Sequence, residues 1–226
     1  MKTMIRAVWQ SVCFTIVMLV VTIASAQTSP PSQTYTQIWN DVQFSVPLSK
    51  MVDFTLLGTV RLGRNVSRPV DERLGAAFSF KAGKYLTFTP SYLRIGMQPF
   101  KNRRVFENRL SFAATVRFPL GHFTLSDRNL FERRLRHPGG DSTRYRNRLH
   151  IEHPIGSPKI KLSAFVSEEP FYDSSFNAWV RNRFAVGVTK VLNKHVTTDV
   201  YYMRQNDGHS VPGDLNILGV TWRVKL

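Results

Sequence analysis

The stretch Tyr145–Pro154 reads Y-R-N-R-L-H-I-E-H-P and alternates with a period of two. One face carries only ionisable side chains, Arg146, Arg148, His150 and Glu152, whereas the other face is mostly apolar. Strict alternation of this kind predicts a β-strand. The strand fits a soluble sandwich with its charged face in water, or a membrane barrel with its charged face in the lumen and its apolar face against lipid. A similar alternation of residues recurs at 107–112, 127–135 and 179–188.

The N-terminus favours the membrane barrel. Met1–Ala26 is interpreted as a cleavable secretory signal peptide, with basic residues Lys2 and Arg6, an apolar run at Val12–Ile23 and a final A-S-A cleavage motif. An N-terminal membrane anchor is the alternative, but the apolar run is shorter than the roughly 20 residues that a spanning helix needs. Cys13 is the only cysteine and lies in this segment, so the mature chain would have no disulfide and no thiolate chemistry.

The chain is strongly basic, with a formal net charge of +16. In a cytosolic protein this charge would suggest a nucleic-acid partner, but export argues against nucleic acid. The anionic partners available to an exported protein include lipopolysaccharide phosphates and small anionic solutes, and a charged pore is a further use of basic residues. No later apolar run reaches the length of a transmembrane helix. The chain can still enter a membrane as a β-barrel.

Eleven strand candidates follow one another with no helix between them. They are Tyr35–Val46, Val52–Leu62, Glu72–Phe80, Tyr85–Ile95, Phe106–Phe118, His122–Leu135, Tyr145–Pro154, Ile160–Glu168, Trp179–Val191, Val196–Gln205 and Leu215–Leu226. Short turns alternate with longer polar loops at 63–71, 96–104, 136–142, 169–176 and 206–213. The pattern predicts an all-β protein, an antiparallel transmembrane β-barrel of roughly 10–12 strands. We expect one barrel domain at 35–226 after a flexible leader at 27–34, with the long loops outside the cell.

The odd count conflicts with the even strand number of bacterial single-chain barrels. If the final strand ends in the periplasm, the first strand runs in the same direction and begins outside. Three explanations stay open at this point: residues 27–36 thread the lumen, they form a twelfth strand, or one strand is miscounted.

The inward positions between 106 and 191 are rich in charge. A lipid-facing Arg or Lys would cost about 2–4 kcal/mol at the bilayer midplane, so these residues are expected to face the lumen. The predicted ladder comprises Glu107, Arg109, Arg117, Arg128, Glu132, Arg134, Arg146, Arg148, Glu152, Glu169, Arg181 and Arg183, with Arg144 and Lys161 as further cations. Either Arg–Glu pairs pack and close a narrow bore, or the excess cations line a water-filled pore that favours anions. Glu168 and Glu169 are expected to pair with arginines rather than to act as catalytic acids.

Basic residues are also predicted in the outer loops, at Arg64, Arg68, Lys101, Arg103, Arg104 and Arg136. They form either a solvated rim or contacts to lipopolysaccharide phosphates, which suit the bidentate guanidinium group. Aromatic residues near strand ends are candidates for interfacial girdles. These residues are Trp39, Tyr85, Phe118, Trp179, Tyr202 and Trp222.

The sequence gives little support for catalysis, and we expect no enzyme, no cofactor and no metal site. A triad of Asp199, His209 and Ser210 can be drawn, but the chain has no nucleophile elbow and no zinc-protease motif. His150 and His153 stand at odd spacing and therefore cannot share one face of a strand.

Five short motifs carry a family resemblance: N-R-L at 108–110, R-N-L-F-E-R-R-L at 128–135, R-Y-R-N-R-L at 144–149, E-E-P-F at 168–171 and N-R-F-A-V-G-V at 182–188. In order and spacing they resemble a family of exported bacterial proteins known as domain of unknown function 2490, over about Trp39 to Gln205. The resemblance implies an outer-membrane barrel and brings no catalytic residue. One departure is the C-terminus, where Leu226 replaces the terminal aromatic residue that is usual in such barrels.

Two functions stay open. The first is a small outer-membrane pore for anionic solutes, which predicts that charge reversal at Arg146, Arg148, Arg181 and Arg183 changes ion selectivity. The second is a non-conducting barrel that is structural, or that binds lipopolysaccharide or another partner through its loops. It predicts loss of binding when the 96–104 segment is neutralised. A soluble periplasmic antiparallel barrel is a third interpretation.

Overall fold

Eleven β-strands form one closed barrel in a computed structural model of the chain. The structure describes residues 34–63, 65–100, 103–156, 159–210 and 213–226. The predicted signal peptide at 1–26 and residues 27–33 of the predicted leader lie outside them. The strands are β1 (Thr34–Pro47), β2 (Val52–Gly63), β3 (Arg68–Ala82), β4 (Leu86–Phe100), β5 (Arg103–Leu120), β6 (Phe123–His137), β7 (Ser142–Ile155), β8 (Leu162–Asp173), β9 (Ala178–Val191), β10 (Val196–Asp207) and β11 (Asp214–Lys225). The described residues include no helix that is long and apolar enough to cross a membrane.

Side chains alternate between an apolar outer wall and a charged interior. On β5, Leu110 is 53% exposed on the outside, whereas its inward neighbours Glu107 and Arg109 are 0% and 3% exposed. Leu74, at 70% exposure, shows the same pattern on β3. Glu and Arg are almost never fully buried in water-soluble proteins unless they are paired. The distribution is that of a transmembrane barrel, in which the outer wall meets lipid.

The barrel closes through a parallel pair of strands. β1 pairs with β11 from Thr34↔Asp214 to Ser45↔Lys225, while the other neighbouring strands pair antiparallel. Eleven strands that alternate in direction leave the first and the last pointing the same way, so closure requires one parallel ladder. The prediction of 10–12 strands is confirmed, and the odd count is not a miscount. Thr34, the last residue of the predicted leader, already belongs to β1.

The predicted long loops are wrong in their extent. The strands continue into them, so that β4 reaches Phe100, β6 reaches His137 and β8 reaches Asp173, and the connections shrink to segments such as 138–141 and 174–177. Polar residues in these stretches keep their ladder hydrogen bonds, and their side chains find ion-pair partners inside the barrel, so polarity did not indicate a loop. The orientation that we inferred from loop length therefore stays a prediction.

Lys161 and Trp39 lie elsewhere than predicted. Lys161 is exposed in the turn before β8 rather than inward on a strand. Trp39 is 3% exposed inside the barrel, where it packs with Leu215 and Ile217, and so it does not belong to an outer aromatic girdle. Its place in the alternation of β1 turns it inward. The other girdle candidates Tyr85, Trp179, Tyr202 and Trp222 are exposed.

A polar cluster interrupts the apolar wall on β6 and β7. The Nδ2 atoms of Asn129 and Asn147 donate to the two carboxylate oxygens of Asp127 at 2.9 and 2.6 Å. The hydroxyl of Tyr145 donates to Oδ1 of Asn129 at 2.5 Å. Because these polar groups satisfy one another, the cost of placing them on an apolar wall is reduced.

Gly75 is required by close packing between β3 and β4. A Cβ atom at this position would meet the carbonyl oxygen of Tyr92 and the side chain of Leu93, whereas a Cβ at Gly58 would meet nothing within 4 Å. We expect Gly75→Ala to lower the free energy of unfolding by about 1–3 kcal/mol, since the backbone of β4 must shift. We expect Gly58→Ala, the matched control, to change it by less than about 0.5 kcal/mol. Urea titration of the refolded chain in detergent measures both, and equal effects would contradict the prediction.

Candidate functional site: the charged interior of the barrel

Inward side chains divide the barrel into two parts. We define the upper end by the connections after even-numbered strands, such as 138–141, and the lower end by those after odd-numbered strands, such as 121–122. Toward the upper end, large and mostly charged side chains form what we name the plug: Trp39, Arg61, Asp71, Arg73, Glu107, Arg109, Glu132, Arg134, Arg144, Arg146, Glu169, Phe171, Asp173 and Arg183. Toward the lower end, half-exposed hydroxyl side chains form what we name the vestibule: Ser45, Thr55, Thr59, Ser79, Thr89, Ser111, Thr115, Ser126, Ser167 and Thr189.

Glu107 and Glu132 lie at the centre of the plug. Glu107 accepts hydrogen bonds from Nε of Arg109 at 2.7 Å and from Nη2 of Arg134 at 2.9 Å. Glu132, only 2% exposed, accepts from Nε of Arg144 at 2.6 Å and from Nη1 of Arg109 at 3.3 Å. Arg109 therefore bridges the two carboxylates. Because each buried carboxylate meets at least two guanidinium groups, the cost of removing it from water is offset.

Other ion pairs reach across strands that are not neighbours. Nη1 of Arg134 on β6 donates to Asp173 on β8 at 2.8 Å, and Nη2 of Arg128 on β6 donates to Glu169 on β8 at 2.7 Å. Both pairs pass over β7, which lies between these strands. These side chains therefore extend over the intervening strand into the lumen.

An aromatic–arginine stack crosses the bore. The guanidinium carbon of Arg183 lies 4.7 Å from the ring centroid of Phe171 on β8 and 4.8 Å from that of Trp39 on β1. Trp39 also meets Arg61, its register partner on β2, whose guanidinium carbon is 3.5 Å from the ring centroid. Arg183 belongs to β9, which pairs with β8, and strands β10 and β11 separate β9 from β1. The cation–π contact of Arg183 with Trp39 therefore reaches across the bore over two strands. Phe171 is 0% exposed.

Sequence analysis missed the β2–β3 side of the plug. Asp71 accepts from Nε and Nη2 of Arg73 at 2.6 Å each and lies 3.5 Å from Nη1 of Arg61. Asp71 had been assigned to the predicted loop at 63–71. Its position in the same period-two alternation as the inward Ala77 and Ser79 was the signal that could have found it.

The lower part of the interior is polar but more open. The hydroxyls of Ser45 and Thr55 are paired at 2.8 Å. Ion pairs line the mouth of the vestibule, and Arg117, whose side chain is 62% exposed, lies 3.2 Å from Glu152. These short side chains occupy less of the lumen than the arginines of the plug do.

The structure places the predicted ladder residues at different depths. The plug contains Glu107, Arg109, Glu132, Arg134, Arg146, Glu169 and Arg183. Arg128 and Arg148 lie where the plug meets the vestibule, Arg117 and Glu152 lie at the mouth, and Arg181 pairs with Asp207 near the upper end. Glu168 faces outward and accepts a hydrogen bond from Asn182, whereas Glu169 faces inward. A functional role for this set stays a prediction.

The predicted basic rim is split. Arg68 and Arg104 line one open cleft of about 320 Å³ between β3, β4 and β5, together with Met97 and Phe106. Its lining combines these cationic groups with apolar side chains and with the acidic residues Asp71 and Glu72.

Arg136 does not line the cleft. Its Nε donates to the carbonyl oxygen of Gly140 at 2.7 Å and so stabilises the connection between β6 and β7. The other basic positions predicted for the rim cannot be placed. Arg64, Lys101 and the side chain of Arg103 lie outside the described part of the chain.

The residues considered for catalysis are dispersed. Asp199 lies toward the lower end of β10 and His209 beyond its upper end, and the strand from Asp199 to Asp207 spans roughly 26 Å. His150 packs on Phe165 inside the barrel at 4.9 Å between ring centroids, and His153 hydrogen-bonds the backbone of the β5–β6 turn on the other face. Over the described ranges, no group of three His, Cys, Asp or Glu residues is placed to hold a metal ion.

The fold and the interior together define a transmembrane β-barrel whose lumen is filled by ion pairs at one end. Within this class, the chain belongs to the family described as Protein of unknown function (DUF2490), which matches residues 36–216. This confirms the resemblance drawn from the five short motifs.

Solved structures support the fold. LpxR from Salmonella typhimurium is 9% identical, with a TM-score of 0.50 over 77% of this chain and 83% of that chain. Weaker similarities are to an anion-selective porin from Comamonas acidovorans (10% identity, TM-score 0.41, 78% of this chain and 54% of that chain) and to the siderophore receptor PirA from Pseudomonas aeruginosa (13%, 0.31, 79% and 35%). The first similarity concerns the fold alone, and the other two carry no conclusion. No curated protein matches the sequence.

Proposed function

We propose that this protein is a non-conducting β-barrel of the Gram-negative outer membrane, exported by the signal peptide at 1–26. The apolar outer wall suits lipid, and the secretory N-terminus suits export. We further propose that the plug faces the cell exterior and that the vestibule opens to the periplasm. The C-terminus of β11 then lies on the periplasmic side.

The plug is the observation that carries this proposal. The side chains of Arg109 and Glu132 are 4% and 1% exposed, and those of Arg144 and Glu107 are 6% and 0% exposed. A conducting lumen would leave such groups hydrated, because ions pass through wide pores with much of their water. An ion crossing this plug would have to break several buried ion pairs at once. The interior therefore favours a structural or binding role over transport.

An anion-favouring pore is the second candidate. The excess of arginines over carboxylates at the junction of plug and vestibule favours it, since cations that line a lumen attract anions. The two candidates differ in a single observable, which is the conductance of the folded barrel.

The proposal is tested by recording the refolded chain in a planar bilayer under a salt gradient. We expect no discrete conductance steps, because the plug closes the bore. A gel on which the unboiled chain migrates differently from the boiled chain shows that the barrel is folded. Discrete steps with a reversal potential that favours anions would refute the non-conducting barrel and support the pore.

We propose the rim cleft as the contact with lipopolysaccharide. Arg68 and Arg104 can bind phosphate groups, and Met97 and Phe106 offer an apolar surface to acyl chains. We expect the double variant Arg68→Glu/Arg104→Glu to bind lipopolysaccharide micelles at least about tenfold more weakly, since charge-assisted hydrogen bonds contribute about 1.5–3 kcal/mol each.

The control for the rim cleft makes the same change of charge elsewhere. Arg133 and Lys194 are exposed and lie away from the cleft, so Arg133→Glu/Lys194→Glu should retain most of the binding. Equal losses in the two double variants, measured by titration with fluorescent lipopolysaccharide, would show that only net charge matters and would exclude the cleft.

A further inference from the structure

Two arginines at the junction of plug and vestibule, and one plug arginine next to them, have unused hydrogen-bond donors. The Nε atoms of Arg128, Arg146 and Arg148 are buried and donate to no acceptor among the described residues. Arg128 on β6 and Arg148 on β7 are partners in register, and Arg146 is the next inward residue on β7. A buried donor without an acceptor is destabilising, because the hydrogen bond that it made to water is not replaced. Three of them on adjacent inward positions form a cluster that is complementary to a ligand with several acceptor atoms.

The carboxylates near this cluster do not balance its charge. Glu169 accepts from Nη2 of Arg128 at 2.7 Å, but lies 3.9 Å from Nη1 of both Arg146 and Arg183. Arg148 makes no ion pair within 4 Å in the described part of the chain.

The second carboxylate close to the cluster already has other ion-pair partners. Glu132 lies 3.4 Å from Nη2 of Arg146, but it also binds Arg109 and Arg144. Glu169 is therefore the main carboxylate that compensates the charge of the three guanidinium groups. The remaining excess of positive charge attracts an anion.

The cluster can be reached from the vestibule. The side chain of Arg128 remains 25% exposed. Thr115 pairs in register with Arg128, and Ser126 and His150 are paired one inward step closer to the lower end. These side chains are half-exposed, so a small solute entering from the lower mouth meets hydroxyl groups and then the three arginines.

We propose that Arg128, Arg146 and Arg148 form a binding site for a small oxyanion, of the class of inorganic phosphate or sulfate, at the floor of the vestibule. Such an anion presents several oxygen acceptors and matches the planar donor fork of arginine. It also supplies the negative charge that Glu169 alone does not. The site goes beyond the non-conducting barrel proposed above, since it requires entry from one end and no passage through the plug.

The test is isothermal titration calorimetry of the refolded chain in detergent with inorganic phosphate, at constant ionic strength in chloride. We expect saturable binding with one site per chain. Arg128→Gln and Arg148→Gln should each weaken it by about tenfold or more, because each removes a charge-assisted donor. Arg117→Gln, the control at the mouth, should change it by less than about twofold, since this exposed arginine faces Glu152. The gel shift between boiled and unboiled samples checks the folding of each variant.

Glu169→Gln gives a result in the opposite direction. This change removes the carboxylate that holds Arg128, so it should strengthen phosphate binding by roughly three- to tenfold. A merely disturbed barrel would not bind more tightly. The proposal is overturned by the absence of saturable binding to the folded chain, by unchanged affinity in Arg128→Gln and Arg148→Gln, or by an equal loss in Arg117→Gln. Conductance is measured separately, so a conducting barrel would refute the closed lumen without deciding this site.

Discussion

Replacing Glu132 by glutamine is expected to lower the free energy of unfolding of the barrel by about 3–5 kcal/mol, the range for breaking a buried ion pair on one side only. Glu132 is 2% exposed and lies within 3.4 Å of guanidinium nitrogens from Arg109, Arg144 and Arg146. The neutral amide keeps the shape of the side chain but leaves these three cations with less compensation in a site without bulk water. Urea titration of the refolded chain in detergent, followed by tryptophan fluorescence, measures the loss.

Glu152→Gln is the matched control for this prediction. Glu152 faces Arg117, whose side chain is 62% exposed, so water can replace the lost interaction. We expect a change below about 1 kcal/mol, as for other exposed ion pairs. If the two variants lost equal stability, the interior at Glu132 would be hydrated and the plug would not be the tightly packed element described above.

Removing the stack that crosses the bore is expected to turn a silent barrel into a conducting one. Phe171→Ala/Arg183→Ala deletes the ring and the guanidinium group that join β8 to Trp39 on β1. The remaining arginines near Phe171, among them Arg144 and Arg146, would then face a hydrated gap. Planar bilayer recordings under a salt gradient should show discrete steps whose reversal potential favours anions, because cations predominate along the new path.

A second double variant separates this effect from a general loss of barrel integrity. Phe118→Ala/Arg117→Ala removes the same two residue types near the lower end of β5, away from the stack. It should remain as silent as the unaltered chain. A folded Phe171→Ala/Arg183→Ala barrel that stays silent would show that the Glu107–Glu132 ion pairs close the lumen without the stack. Steps from the control would place the barrier at the mouth.

Much of the interior could be predicted because it depends on a local pattern. The side chains of a strand alternate faces whatever the strand pairs with, so the inward positions of Glu107, Arg109 and Glu132 followed from the letters alone. Asp71 obeys the same alternation, yet it falls in the polar stretch at 63–71 that the sequence predicts to be a loop. The error arose because a charged residue near a strand end is ambiguous until its partner is known.

The sequence by itself determined the all-β class, the strand number within its stated range and the face on which most charged residues lie, since each follows from a period of two and from turn residues within the chain. Only the tertiary structure decided how β1 closes on β11, which carboxylate meets which arginine over β7, and that Trp39, Arg183 and Phe171 meet across the bore. These contacts join residues far apart in sequence. Their distances depend on the register and curvature of the closed sheet, which no single strand encodes.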